Sequence, residues 1–245
     1  MRISAIIQAR MGSTRLPGKV LKTVLGKPLL EYQLERVARS KLLNSIVVAT
    51  TWNEIDTPIV DLCERLSMEC YRGPEDDVLT RYYDCAVWCN ADVIVRLTAD
   101  CPIIDPVVID RVIERFLECT DSCDYVSNTL INRYPHGMDT EVFTKAALYK
   151  AHNEAESESE REHVTPYFYQ NPQRFRLTSV DYKDKANDFR WTVDTFEDFS
   201  LIKLLIEHLY PHRPLFTMED LIDLHKANPE WIEINRDVLQ KKLGE

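Results

Sequence analysis

The sequence predicts an α/β fold with a mostly parallel central sheet, and three observations predict it. Apolar, β-branched runs alternate with helical stretches through the first half of the chain. The first of these runs feeds a basic loop that holds glycine and proline, and later ones end in aspartates. Alternating strand and helix calls for right-handed crossovers with helices on both faces of the sheet.

The elements follow in order. Ile3 to Ile7 is an apolar run that reads as a buried strand, and Lys27-Pro28 opens a helix to about Ser40 with Leu30, Leu34, Val37 and Ala38 on one side. Ser45 to Thr51 reads as the second strand. A helix from Thr57 to Leu66 follows, with Pro58 in its first turn. Met68 to Tyr71 is a short third strand, Asp76 to Asn90 a helix, and Asp92 to Asp100 a fourth, strongly apolar strand. Helix Pro106 to Cys119 and strand Asp124 to Asn128 close the regular half. The pattern weakens from Thr129, with a sharp turn at Pro135-His136-Gly137 and helices over Lys145 to Glu156 and Glu160 to Gln170. Strands over Phe175 to Tyr182 and Phe189 to Asp194 return to the sheet. A helix then runs from Thr195 to about Leu209, with Thr195 and Asp198 in capping-box register. Pro211 to Glu245 reads as closing helices with Met218, Leu221, Ile222 and Leu224 inward.

Composition narrows the function. A chain of 245 residues, 44% hydrophobic and 29% charged, suffices for one domain that buries roughly three quarters of its unfolded surface. No linker, repeat or low-complexity run divides it. A net charge of -10 argues against a general nucleic-acid binder, and no apolar stretch approaches the length of a membrane span, so a cytoplasmic protein is expected. Seven cysteines without framework spacing fit a reducing compartment. Cys85/Cys89 and Cys119/Cys123 have helical spacing that would admit a zinc site, but core packing is the better account of the first pair, which continues an apolar stripe.

Charge is distributed unevenly. Residues 1–30 contain Arg2, Arg10, Arg15, Lys19, Lys22 and Lys27 and no acid. The loop Gln8-Ala9-Arg10-Met11-Gly12-Ser13-Thr14-Arg15-Leu16-Pro17-Gly18-Lys19 follows the first strand, where open α/β sheets put ligands. Glycines let backbone amides approach an anion, and arginine and lysine reach polyphosphate oxygens. The loop has neither P-loop nor dinucleotide-fold spacing, so alone it says only that phosphates bind here. Asp100 at the end of the fourth strand should open on the same crevice, as should Asp194. Each has a helix-start role as its alternative. No nucleophile–base set is evident.

Residues 9–19, followed by Leu25-Gly26-Lys27-Pro28-Leu29, resemble the N-terminal motif of the cytidylyltransferases that activate sugar acids, above all their spore-coat polysaccharide branch. Arg190-Trp191-Thr192-Val193-Asp194-Thr195-Phe196-Glu197-Asp198 is similar to the family's second motif, with Phe196 in place of the usual proline. Ala99-Asp100-Cys101-Pro102 stands where the octulosonate enzymes have Gly-Asp-Glu-Pro. The resemblance implies a single Rossmann-like, three-layer nucleotidyltransferase domain over 1–245, with a sugar-binding and dimerisation excursion at 129–175. It also implies CMP transfer from CTP to a sugar acid with pyrophosphate release, Mg²⁺ held by Asp100 and Asp194, and a homodimer. Arg10 and Lys19 are expected to act on the triphosphate, with Gln8, Ala9, Gly12, Ser13, Arg15, Arg72 and Asp77 around the nucleotide. Arg133, His136, Asp139, Glu141, Arg161 and His163 are candidates for the sugar. A glycosyltransferase of the same architecture and a non-catalytic nucleotide-binding subunit are the competing readings.

Overall fold

The computed structural model describes residues 1–240. In chain order the elements are β1 (Ile3–Gln8), a small hairpin of β2 (Thr23–Val24) and β3 (Lys27–Pro28), α1 (Leu29–Val37), β4 (Ser45–Thr51), α2 (Thr57–Arg65), β5 (Glu69–Gly73), α3 (Val78–Trp88), β6 (Val93–Thr98) and α4 (Pro106–Glu118). The second half adds β7 (Tyr125–Ser127), β8 (Glu141–Thr144), α5 (Lys145–Glu154), α6 (Glu158–His163), α7 (Pro166–Tyr169), β9 (Leu177–Ser179), α8 (Phe196–Leu209) and α9 (Met218–Ala227).

The main sheet runs β5-β4-β1-β6-β8-β7-β9. Its first four strands are parallel, and β8 lies antiparallel between β6 and β7. Side chains alternate across it as the pleat requires. Ile3, Ala5 and Ile7 of β1 join a core with α1, α2, α4, α8 and α9, while Ile6 joins the core on the other face with α3, α5 and α7. Sequence order reverses between β1 and β6. Their carboxyl ends are therefore the switch point at which such sheets bind ligands. Among the described residues no helix is long and apolar enough to cross a membrane.

The expected helix from Lys27 begins at Leu29, because Lys27 and Pro28 pair with Thr23 and Val24. The expected strand over 175–182 shrinks to Leu177–Ser179. The expected strand over 189–194 does not form. Its backbone makes a single bridge, His136 to Arg190, and its polar groups serve loops instead: Trp191 N–H donates to the His136 carbonyl at 2.7 Å and Val193 N–H to the Asp100 carbonyl at 2.8 Å. The 129–175 stretch is less of an excursion than expected, since β8 returns through the middle of the sheet. Cys119 and Cys123, expected as thiols, are joined in a disulfide across the turn that ends α4, with Cα atoms 5.5 Å apart. Cys85 and Cys89 are buried in the other core. The expected closing helices are realised as α9 and a short 3-10 turn at Pro229–Ile234. The end of the expected closing segment, 241–245, lies outside the described residues.

Candidate active site

The loop after β1 is shaped by its own backbone. Gly18 adopts φ +67°, the left-handed region that glycine enters without penalty, and its N–H donates to the Met11 carbonyl at 2.9 Å. Ser13 N–H donates to the same carbonyl at 2.9 Å, so as folded it is not offered to an anion. Met11 N–H in turn donates to Asp56 Oδ1 at 2.6 Å. Buried Asp56, at the start of α2, thus ties the loop to the end of β4. The turn at Gly18 sends Lys19 back over the sheet.

There Lys19 meets both aspartates. Its Nζ lies 3.2 Å from Asp100 Oδ2 and 2.9 Å from Asp194 Oδ1. Burial would lower the lysine pKa, but the two carboxylates outweigh it and raise the value above the ordinary one. Burial would likewise raise Asp100, yet Lys19 and the Thr98 hydroxyl, 2.5 Å from Oδ1, hold it below the usual range. Asp194 has two further cations, Arg15 at 3.1 Å and Arg190 at 2.7 Å. Arg190 also grips buried Asp198 of α8, and Asn235 donates to the Arg190 carbonyl and to Asp198. Thr195 and Asp198 form the expected capping box, so the second motif is fixed from both sides.

These groups stand in a cavity of about 1090 Å³ over the ends of β1 and β6. Gln8, Ala9, Arg10, Ser13, Arg15 and Lys19 line it together with Arg81 of α3. Asp139, Glu141, His163 and Tyr169 line the same cavity, and His136 borders a smaller recess of about 280 Å³ beside Asp100 and Asp194. Burial lowers the pKa of both histidines, helped at His136 by Arg190 and at His163 by Arg96 and Arg10, so both favour the neutral ring.

Other expected site residues lie elsewhere. Gly12, Arg72, Asp77, Arg133 and Arg161 line neither space. Arg72 donates to the carbonyls of Thr51 and Asn53, joining β5 to β4. Asp77 caps α3 and accepts from Arg161, whose remaining donors reach Thr80 and the carbonyls of His152 and Ala155. Exposed Arg133 pairs with Asp181 at 3.4 Å. Glu141 does reach the cavity wall, but Arg96 and the Tyr125 hydroxyl already hold it.

Sequence reasoning missed Arg96, Asp56 and Gln240. Arg96 sits mid-strand in β6, pairs with Glu141, and donates to Gln8 Oε1 at 3.2 Å. A charge inside an apolar strand was the available signal. Asp56 was legible only as a helix-start acid. Gln240, which accepts from Arg190 and lines the cavity, carries no local signal.

The donor chemistry suits a hard divalent cation. Two carboxylates converge on one point where an ammonium now sits, a stand-in for positive charge. Among the described residues no group of three or more His, Cys, Asp or Glu is arranged for a metal. Asp100 and Asp194 could supply two carboxylates to such an ion, the number Mg²⁺ uses when phosphates and water supply its other ligands.

The chain is similar to known proteins along most of its length. A family model described as cytidylyltransferase matches residues 4–241. An uncharacterised protein of Methanocaldococcus jannaschii is 41% identical over 249 residues, covering 100% of this chain and 99% of that one. The spore coat polysaccharide biosynthesis protein SpsF of Bacillus subtilis is 33% identical over 232 residues, covering 92% and 94%. Among solved structures, a cytidylyltransferase from Leptospira borgpetersenii superposes with TM-score 0.91 at 33% identity, covering 99% of this chain and 100% of that one. A CMP:2-keto-3-deoxy-manno-octonic acid synthetase complexed with CTP shares the fold with TM-score 0.67 at 16% identity, over 85% and 99%.

Proposed function

The chain belongs to the cytidylyltransferase family, and we propose from that premise that it transfers CMP from CTP to a sugar acid, with release of pyrophosphate, in the synthesis of a surface polysaccharide. The observation that carries this reading is Lys19 seated between Asp100 and Asp194 in a cavity that also holds Arg10 and Arg15. The polysaccharide role follows the spore-coat relative.

The chemistry is in-line attack by an acceptor hydroxyl on the α-phosphorus. Negative charge grows on the phosphoryl oxygens and on departing pyrophosphate, so fixed cations that meet it there lower the barrier. Arg10 makes no ion pair among the described residues and lines the cavity, which suits it to the triphosphate. Lys19 sits within reach of the same phosphates, and Arg15 steadies Asp194 beside it. Bound between Asp100 and Asp194, Mg²⁺ would neutralise phosphate charge and polarise the α-phosphate. Gln8 is oriented by Arg96 on the floor of the nucleotide side, and Arg81 presents a further cation there. We assign the acceptor to Asp139, His163 and Tyr169, which line the same cavity. We place the reaction in the cytoplasm. We also assign pairing of two copies to the 129–175 stretch, where Ile131 and Tyr149 are exposed.

The test is pyrophosphate release with Mg²⁺, each of the four nucleoside triphosphates and a panel of sugar acids, with Asp100→Ala alongside. Release that requires CTP and one sugar acid, and disappears in the variant, is expected. Nucleoside diphosphate formed from a nucleotide sugar, with no pyrophosphate from any pair, would replace this reading with a glycosyltransferase.

A further inference from the structure

Asp139 is presented to the cavity on an unusually constrained piece of backbone. Buried Asn128 clamps both of its neighbours: its Nδ2 donates to the Met138 carbonyl at 2.7 Å, and its Oδ1 accepts from Thr140 N–H at 2.8 Å. On the N-terminal side, Gly137 has φ +102° and packs so closely on the second motif that an added Cβ would stand 2.6 Å from the Trp191 carbonyl oxygen. Met138 is fully buried, and its sulfur accepts from Asp105 N–H. The carboxylate that emerges between these anchors lines both the main cavity and the recess, in the company of Asp100 and Asp194.

Asp139 also differs from its neighbours in charge balance. Asp100 has Lys19, Asp194 has Lys19, Arg15 and Arg190, and Glu141 has Arg96. Asp139 has no ion pair among the described residues. Burial and the neighbouring Glu141 raise its carboxyl above the usual range. A fixed carboxylate without a cation, beside the phosphate-binding groups, is suited to a hydroxyl donor.

We propose that Asp139 is a catalytic base that accepts a hydrogen bond from the attacking hydroxyl of the acceptor and takes its proton. The step balances. The acceptor O–H bond breaks as its proton passes to Asp139 Oδ, and the oxygen electron pair forms the new bond to the α-phosphorus. The bond from that phosphorus to the bridging oxygen then breaks, and pyrophosphate leaves with its electrons. The assignment rests on the CMP-transfer reading.

The experiment compares wild type, Asp139→Asn and Asp139→Glu in pyrophosphate release, with CTP affinity by calorimetry and thermal unfolding measured on each. Asp139→Asn should lose about 10²- to 10⁴-fold in kcat, the range for general base catalysis, while melting temperature and CTP affinity stay near wild type. Asp139→Glu keeps the carboxylate at a displaced position and should fall between them. An Asp139→Asn enzyme within about threefold of wild-type kcat overturns the assignment. So does a loss that raised Mn²⁺ concentration restores, which would make Asp139 a metal ligand, or one that tracks lost CTP binding. Wild type that releases no pyrophosphate with any pair sinks the transfer reading, and this assignment with it.

Discussion

The ammonium of Lys19 lies 2.9 Å from Asp194, a residue 175 positions away in the chain, and 3.2 Å from Asp100. One cation from the first loop thus sits at the point where two carboxylates from separate elements converge. For a divalent cation to enter between them, Lys19 must turn away within the cavity that Arg10 and Ser13 also line.

Lys19→Met should therefore separate two functions. Mn²⁺ binding in the absence of nucleotide, followed by electron paramagnetic resonance, should tighten by at least about tenfold, since a competing charge within 4 Å is removed. Turnover should fall by about 10²- to 10³-fold, as for loss of one preorganised cation. Unchanged Mn²⁺ affinity would show that the two aspartates are not a cation seat.

Arg161 straps α6, whose His163 lines the cavity, to the start of α3 through Asp77 and Thr80. Arg161→Ala leaves Asp77 without its cation and should destabilise the fold by about 1.5–3 kcal/mol, the range for hydrogen bonds to charged groups. For a chain of this size each kcal/mol shifts the melting temperature by about 2–4 °C. KM for the acceptor should rise more than kcat falls, and Arg161→Lys should recover part of the loss. A change in kcat alone would argue for direct substrate contact.

Stability should also depend on pH through His225. Its ring is buried, accepts from Trp191 Nε1 at 2.9 Å, and has its pKa lowered by burial from 6.5 to about 4. The unfolded chain binds this proton more readily than the folded one. Stability is thus retained above pH 6.5 and drains away as pH falls from there toward 4, by up to about 3 kcal/mol at one pKa unit per 1.4 kcal/mol. Denaturant titrations between those limits should show the slope, and His225→Gln should flatten it. A wild-type slope equal to that of the variant would rule out His225 as the source.

Phe196 occupies the first position of α8 after the Thr195 cap and is 64% exposed. Proline suits that position because its missing N–H is not needed there. Phe196→Pro should raise stability by about 0.4–1 kcal/mol, readable as a small rise in melting temperature, with turnover unaffected. A drop would mean that the aromatic ring, which lies 6.4 Å from Phe199, contributes more than its exposure suggests.

The central sheet was legible because β1, β4 and β6 are buried on both faces and so read as continuous apolar runs. Lys19, Asp100 and Asp194 were legible because strand ends and glycine-shaped loops leave local traces. The failures have a common cause. Residues 189–194 have strand composition, but their hydrogen-bonding groups are claimed by the His136 loop, Asp100 and Asn235, partners that no local pattern reveals. Arg161 and Arg133 looked like sugar-binding groups because nothing in their neighbourhood names Asp77 or Asp181 as counterions. The anchoring of Asp139 depends on Asn128 and Trp191, and only folding brings them together.

The second carboxylate of the site is held in place by Arg190, and Arg190 by Asn235 and Gln240 near the end of the chain. Residues 190, 194, 235 and 240 all lie far along the chain from the loop that carries Lys19, so the balance of charge around that ammonium belongs to the closed fold and to neither end of it alone.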